Sequence, residues 1–179
     1  DVYKRQILNA ASLDTSAKQA LMIDSKTQQL ILEKNADELM KPASMAKLMT
    51  IYIVFEKIKN KQLSLEDKFV VSEKAWKKRG SRTFLEPGQN VSIEDLLRGV
   101  IIQSGNDASI VLAEGISGTE DIFAELMNVV AKEIGMKNTV FNTWWFAYLF
   151  RGCVGVGRGR RVKGAGAQGA PQGIRTFFT

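Results

Sequence analysis

The stretch Lys41-Pro42-Ala43-Ser44-Met45-Ala46-Lys47-Leu48-Met49-Thr50 constrains this chain more than any other. It predicts a helix that opens at Pro42, whose missing N–H is no loss in a first helical turn. From Met45 the run continues through Leu48, Met49, Ile51, Tyr52, Ile53, Val54 and Phe55, interrupted only by Lys47 and Thr50. A helix apolar on nearly every side belongs in the middle of a domain. Ser44 and Lys47, at i and i+3, then share one face. Burial disfavours the charged form of a lysine and lowers its pKa, so Lys47 could act as a neutral base beside a Ser44 nucleophile. The spacing alone is weak, since about one Ser-x-x-Lys match is expected in a chain of this length. The bland alternative is a solvated serine and lysine on a helix surface. The proline ahead and the core-like helix behind favour the catalytic reading.

Composition narrows the chemistry. The chain of 179 residues is long enough for one domain with a core. It has no histidine, which excludes a histidine base and removes the commonest metal ligand. A serine nucleophile here must use lysine or a carboxylate as its base. The single cysteine, Cys153, rules out an internal disulfide and a cysteine zinc cluster. The net charge of +6 is unevenly spread. Residues 1–133 hold all 19 acidic side chains against 18 basic ones, while the rest carries seven basic and no acidic residues. A near-neutral body argues against nucleic-acid binding. No apolar run has membrane-spanning length, and no signal peptide is visible.

Residues 1–19 read as an irregular lead-in. Ala20 to Asp24 and Gln29 to Glu33 predict a β-hairpin about Ser25-Lys26-Thr27-Gln28. A short strand is expected at Lys68 to Val71, a short helix at Ser72 to Lys78, a loop through Arg82 and a turn at Pro87-Gly88. Ser92 and Asp95 predict a capping box for a helix over Ile93 to Gln103. Further helices are expected at Asp107 to Ile116 and at Glu120 to Ile134. The last carries Ile122, Phe123, Leu126, Met127, Val130 and Ile134 as its apolar stripe, with Gly135 as its stop. A hairpin followed by several helices is an α+β pattern.

After Thr143 the composition changes to a Gly/Arg-rich segment without periodicity. Three readings of residues 144–179 stand: an RNA-binding tail, a segment that does not fold, or a segment that is not the native continuation, as after a reading-frame error. The last is preferred, because the break falls beside a well-patterned body.

Ser104-Gly105-Asn106 supplies a second candidate site. A turn with Gly105 in a permissive conformation could aim Ser104 and Asn106 into one cleft. Taken alone, Asn106 as a simple helix N-cap is the more frequent outcome; taken with the Ser44-x-x-Lys47 motif, it is not.

Pro42-Ala43-Ser44-Met45-Ala46-Lys47-Leu48-Met49-Thr50, Phe84-Leu85-Glu86-Pro87-Gly88, Leu96-Leu97-Arg98-Gly99 and Gln103-Ser104-Gly105-Asn106-Asp107-Ala108 occur in that order. Together they resemble the serine-type D-alanyl-D-alanine carboxypeptidases, the low-molecular-mass penicillin-binding proteins, over roughly residues 20–143. The resemblance implies an α+β fold of the β-lactamase/transpeptidase-like type, a helical cluster with part of an antiparallel sheet. It implies Ser44 as the acyl-accepting nucleophile, Lys47 as general base and Ser104 as a proton shuttle toward the leaving amine. Asn106 would hold the substrate amide and the lysine. The Ser44 N–H, at a helix N-terminus, would form half of an oxyanion hole. The implied substrate is a peptidoglycan stem peptide ending in D-Ala-D-Ala, with β-lactams as covalent inhibitors and no cofactor. The implied location is outside the bacterial cytoplasmic membrane, reached at the membrane only through a C-terminal segment absent here.

The family's third motif, Lys-Thr-Gly, occurs nowhere in the chain. The C-terminal strands are therefore expected to be missing, and the acylation site to lack its opposite wall. A class A β-lactamase-like hydrolase and a non-catalytic wall-binding relative are the alternatives. The first would favour Ser-Asp-Asn over Ser104-Gly105-Asn106.

Overall fold

The computed structural model describes residues 15–38, 40–136, 138–143 and 146–149. Most of the Gly/Arg-rich segment and the first fourteen residues of the lead-in lie outside them. Strands β1 (Ala20–Ile23) and β2 (Leu30–Lys34) form the expected antiparallel hairpin, Ala20 pairing with Lys34 and Ile23 with Leu30. Its turn has no Asn-Gly. Instead the Asp24 carboxylate accepts from the N–H groups of Lys26 (2.9 Å) and Thr27 (2.6 Å), and Gln28 takes the positive φ of 58°.

The chain then enters a 3-10 turn, Ala43–Ala46, continued without a break by α1 (Lys47–Lys59). Strand β3 (Lys68–Val70) and helix α2 (Glu73–Lys77) follow, with Ser72 as the α2 N-cap, accepting from Ala75 N. A strand not foreseen, β4 (Asn90–Ser92), pairs antiparallel with β3. Three residues are too few for an alternating pattern to register. Helix α3 spans Ile93–Gln103, as expected. Ser92 Oγ caps it by accepting from Asp95 N at 3.1 Å, and Ser92 Oγ also contacts Asp95 Oδ2 at 2.6 Å. Helices α4 (Asn106–Ser117) and α5 (Glu120–Glu133) complete the cluster, stopped by Gly118 and Gly135 at φ 81° and 87°.

The middle of the molecule is α4, not α1. Residues 107–113 are all buried, and α4 packs on α1, α2, α3, α5 and β3. In α1 the buried side chains are Lys47, Met49, Thr50, Ile53 and Val54, whereas Leu48, and Met45 just ahead of it, are exposed. The apolar stripe of α5 is also rotated from expectation. Phe123, Ala124, Met127 and Ala131 are buried, while Ile122 and Ile134 are exposed. Small alanines let α5 sit close to its neighbours, and a hydropathy pattern does not reveal which face the neighbours occupy. The core joins these helices through Phe123, Ile93, Leu96, Ile110, Leu112 and Met127.

Strands β5 (Thr139–Thr143) and β6 (Phe146–Leu149) form a last antiparallel pair beside α5, neither expected from sequence. The Asn128 side chain of α5 substitutes for a strand partner. It donates to Phe141 O (2.7 Å) and accepts from Phe141 N (2.8 Å). No helix among the described residues is long and apolar enough to cross a membrane.

Candidate active site

Ser44 lies on the 3-10 turn and Lys47 is the first residue of α1. In a 3-10 turn, residues at i and i+3 eclipse, which aligns the two side chains more closely than an α-turn would. Pro42 stands at the N-cap position, buried, rather than inside the helix, and Ala43 after it takes a left-handed φ of 49°. Left-handed backbone costs a non-glycine residue roughly 1 kcal/mol. Ser44 is exposed, and among the described residues neither its hydroxyl nor its N–H has a hydrogen-bond partner.

Lys47 is only 4% exposed. Its Nζ donates to three oxygens: Ser104 O at 2.5 Å, Ser104 Oγ at 2.9 Å and Asn106 Oδ1 at 2.7 Å. Burial holds its pKa below the ordinary lysine value, and the negative charge of Asp107 works against that shift. The structure therefore brings together Lys47, Ser104 and Asn106 across 57 to 59 residues of chain.

The turn that carries the second pair differs from expectation in which residue is unusual. Ser104 is the left-handed one, at φ 54° and ψ 38°, capping α3. Gly105 has an ordinary extended backbone, φ −56° and ψ 121°. Its glycine is required by space: a Cβ there would sit 2.3 Å from Thr83 Oγ1. Asn106 is not an N-cap. Gly105 holds that position, with no side-chain cap bond, and the Asn106 side chain turns to Lys47 and to Arg79 O (2.9 Å from Nδ2). An amide whose NH2 donates to a carbonyl must present its oxygen on the other side, so Oδ1 faces Lys47.

Sequence reasoning missed the loop that builds this wall. Ser81 O accepts from Asn106 N at 2.8 Å, and both Asp107 oxygens accept from Thr83 N at 2.9 Å. Asp107 stood in plain view inside the Gln103–Ala108 stretch, but nothing local shows that its partners Thr83 and Leu85 lie over twenty residues away. Among the described residues, no group of three or more His, Cys, Asp or Glu side chains is placed to hold a metal ion.

A protein-family profile described as D-alanyl-D-alanine carboxypeptidase matches residues 6–144. D-alanyl-D-alanine carboxypeptidase DacF of Bacillus subtilis is 42% identical over 131 residues, which are 73% of this chain and 34% of that protein. The crystal structure of the D-alanyl-D-alanine carboxypeptidase DacD from Francisella tularensis superposes with a TM-score of 0.74 at 40% identity, covering 79% of this chain and 34% of that one. Penicillin-binding protein D2 from Listeria monocytogenes, in an ampicillin-bound form, gives 0.68 at 27% identity, over 77% of this chain and 58% of that one. The chain spans about a third of the length of the curated relatives it matches. Its mixed arrangement of helices and small antiparallel sheets is part of the transpeptidase/β-lactamase-like fold of these structures.

Proposed function

This chain belongs to the D-alanyl-D-alanine carboxypeptidase family of serine peptidases, and on that premise we propose that Ser44 is the acyl acceptor of a D,D-carboxypeptidase reaction. The observation that carries the proposal is the hydrogen-bonded cluster of buried Lys47 with Ser104 and Asn106, one turn from an exposed serine.

An ammonium has three N–H donors, and the bonds of Lys47 Nζ include those to Ser104 O, Ser104 Oγ and Asn106 Oδ1. A neutral amine has two N–H donors and a lone pair. Burial favours that neutral form, which can take the proton of the Ser44 hydroxyl as its oxygen bonds to the carbonyl carbon of the penultimate D-Ala. The Ser44 N–H stabilises the developing oxyanion. Ser104 Oγ, both donor and acceptor, then passes the proton from Lys47 to the departing amine of the terminal D-Ala as the C–N bond breaks. Water cleaves the resulting ester and restores Ser44. Asn106 Oδ1 holds Lys47 in line throughout.

The substrate is then a peptidoglycan stem peptide, and the site of action is the outer side of the bacterial cytoplasmic membrane. β-Lactams would acylate the same serine, as the ampicillin-bound Listeria relative suggests. The relatives' names speak for this reading over the β-lactamase-like alternative. Labelling the full-length protein with a fluorescent penicillin tests it. Label is expected on the wild type and on Ser104→Ala, slowed in the latter, and absent from Ser44→Ala. A folded wild type that takes no label, or a labelled Ser44→Ala, would refute the proposal and favour a non-catalytic wall-binding role.

A further inference from the structure

Asp107 has no role in the scheme above, yet it is 0% exposed, and no other charged side chain among the described residues is buried so completely. A carboxylate out of water is costly unless hydrogen bonds replace its hydration. Three backbone N–H groups do so. Thr83 N bonds both oxygens at 2.9 Å, Leu85 N lies 3.4 Å from Oδ2, and Ala108 N is 2.9 Å from Oδ1. A plain helix-end role accounts for Ala108 alone, since a carboxylate in the first turn is favourable by itself. Thr83 and Leu85 belong to a loop 24 and 22 residues upstream.

That same loop carries the two carbonyls that hold Asn106, Arg79 O on its side chain and Ser81 O on its backbone. The loop is thus fastened at one end to Asp107 and at the other to Asn106. Arg79 O holds the NH2 side of the Asn106 amide, and without it only the Lys47 bond to Oδ1 opposes rotation of the amide by half a turn. Its NH2 would then face Lys47 donor to donor. We infer that Asp107 is a positioning residue: its buried carboxylate clamps the 79–85 loop, and the loop orients the Asn106 amide so that its oxygen meets Lys47. The readout through acylation rests on the function proposed above.

The test combines amide hydrogen exchange by NMR with penicillin labelling of wild type, Asp107→Asn, Asn106→Ala and the double variant. In the wild type the Thr83 N–H is expected to exchange as slowly as core amides, and in Asp107→Asn it should lose that protection along with its loop neighbours. Asp107→Asn is expected to slow labelling by roughly ten- to a hundredfold, the scale of a misplaced reacting group. In the Asn106→Ala background it should cost nothing further, because the loop would have no amide left to orient. Additive losses in the double variant, or labelling of Asp107→Asn at the wild-type rate, would show that Asp107 only stabilises the fold. Fast exchange of Thr83 in the wild type overturns the clamp even if Asp107→Asn does not fold. A wild type that takes no label, with Thr83 protected, overturns the acylation scheme and the positioning role with it, a result distinct from loss of the clamp.

Discussion

Gly105→Ala is the perturbation that separates the two physical reasons for a glycine between Ser104 and Asn106. Its backbone, at φ −56° and ψ 121°, is open to any L residue, so conformational strain adds nothing. Space is the obstacle. The added Cβ would lie 2.3 Å from Thr83 Oγ1, 3.1 Å from Asp107 Oδ1 and 3.2 Å from Gly99 O, against ordinary contact from 3.4 Å. Thr83 must therefore retreat by about 1.1 Å. A change of its rotamer gives little relief. Thr83 is β-branched and is already packed against Gly99, where a built Cβ meets its Oγ1, Cγ2 and Cβ at 2.6–3.2 Å. The loop backbone has to move, drawing Thr83 N away from Asp107. Overpacking costs about 1–3 kcal/mol, and weakening a hydrogen bond to a buried charge adds about 1 kcal/mol more. A total of about 2–4 kcal/mol corresponds to a Tm lower by roughly 5–15 °C. Thermal unfolding of Gly105→Ala, Thr83→Ala and the pair measures it. Thr83 Oγ1 is buried without a partner among the described residues, so its removal orphans nothing. The double variant is expected to recover at least half of the loss. A Gly105→Ala protein as stable as the wild type, or a loss that Thr83→Ala leaves untouched, would refute the steric account.

Ser104→Gly should relax the left-handed residue by roughly 1 kcal/mol but removes an acceptor of the buried Lys47, a loss of about the same size, so stability should change little while penicillin labelling falls roughly a hundredfold with the lost relay. Lys47 sets a pH dependence. Because burial depresses its pKa in the folded state, the unfolded chain binds more protons between that lowered value and the usual lysine value of about 10.4, so stability rises with pH across that window and is lost as pH falls through the lowered value. Urea midpoints of wild type minus Lys47→Met should therefore increase from neutral pH toward about pH 10, and parallel curves would contradict this. Phe123→Ala, at a fully buried site, is expected to destabilise by about 3–5 kcal/mol in urea; a change near zero would place Phe123 outside the core.

How much was legible depended on whether the governing contacts were local. The hairpin and helices α1, α3, α4 and α5 follow from periodicity, caps and glycine stops that act within a few residues, and their observed bounds differ from expectation by only a few positions. Ser44 and Lys47 were readable as a pair because they lie three positions apart, on one turn. The short strands β3 and β4 show the limit, the first expected and the second not, since three residues hold too little pattern.

The sequence by itself determined the first hairpin and the helices, a lack of histidine in this chain that leaves lysine or a carboxylate as the base for its serine, and the four candidate residues in their order. Only the tertiary structure decided that α4 rather than α1 is the centre, that Ser104 and not Gly105 bears the left-handed backbone, and that Arg79 O holds the far side of the Asn106 amide. Those outcomes rest on partners over twenty residues distant, the Thr83 side chain against Gly105 and the Asp107 carboxylate beneath Thr83. Van der Waals volume and the need to satisfy a buried charge act through space. They leave no periodicity along the chain from which to read them.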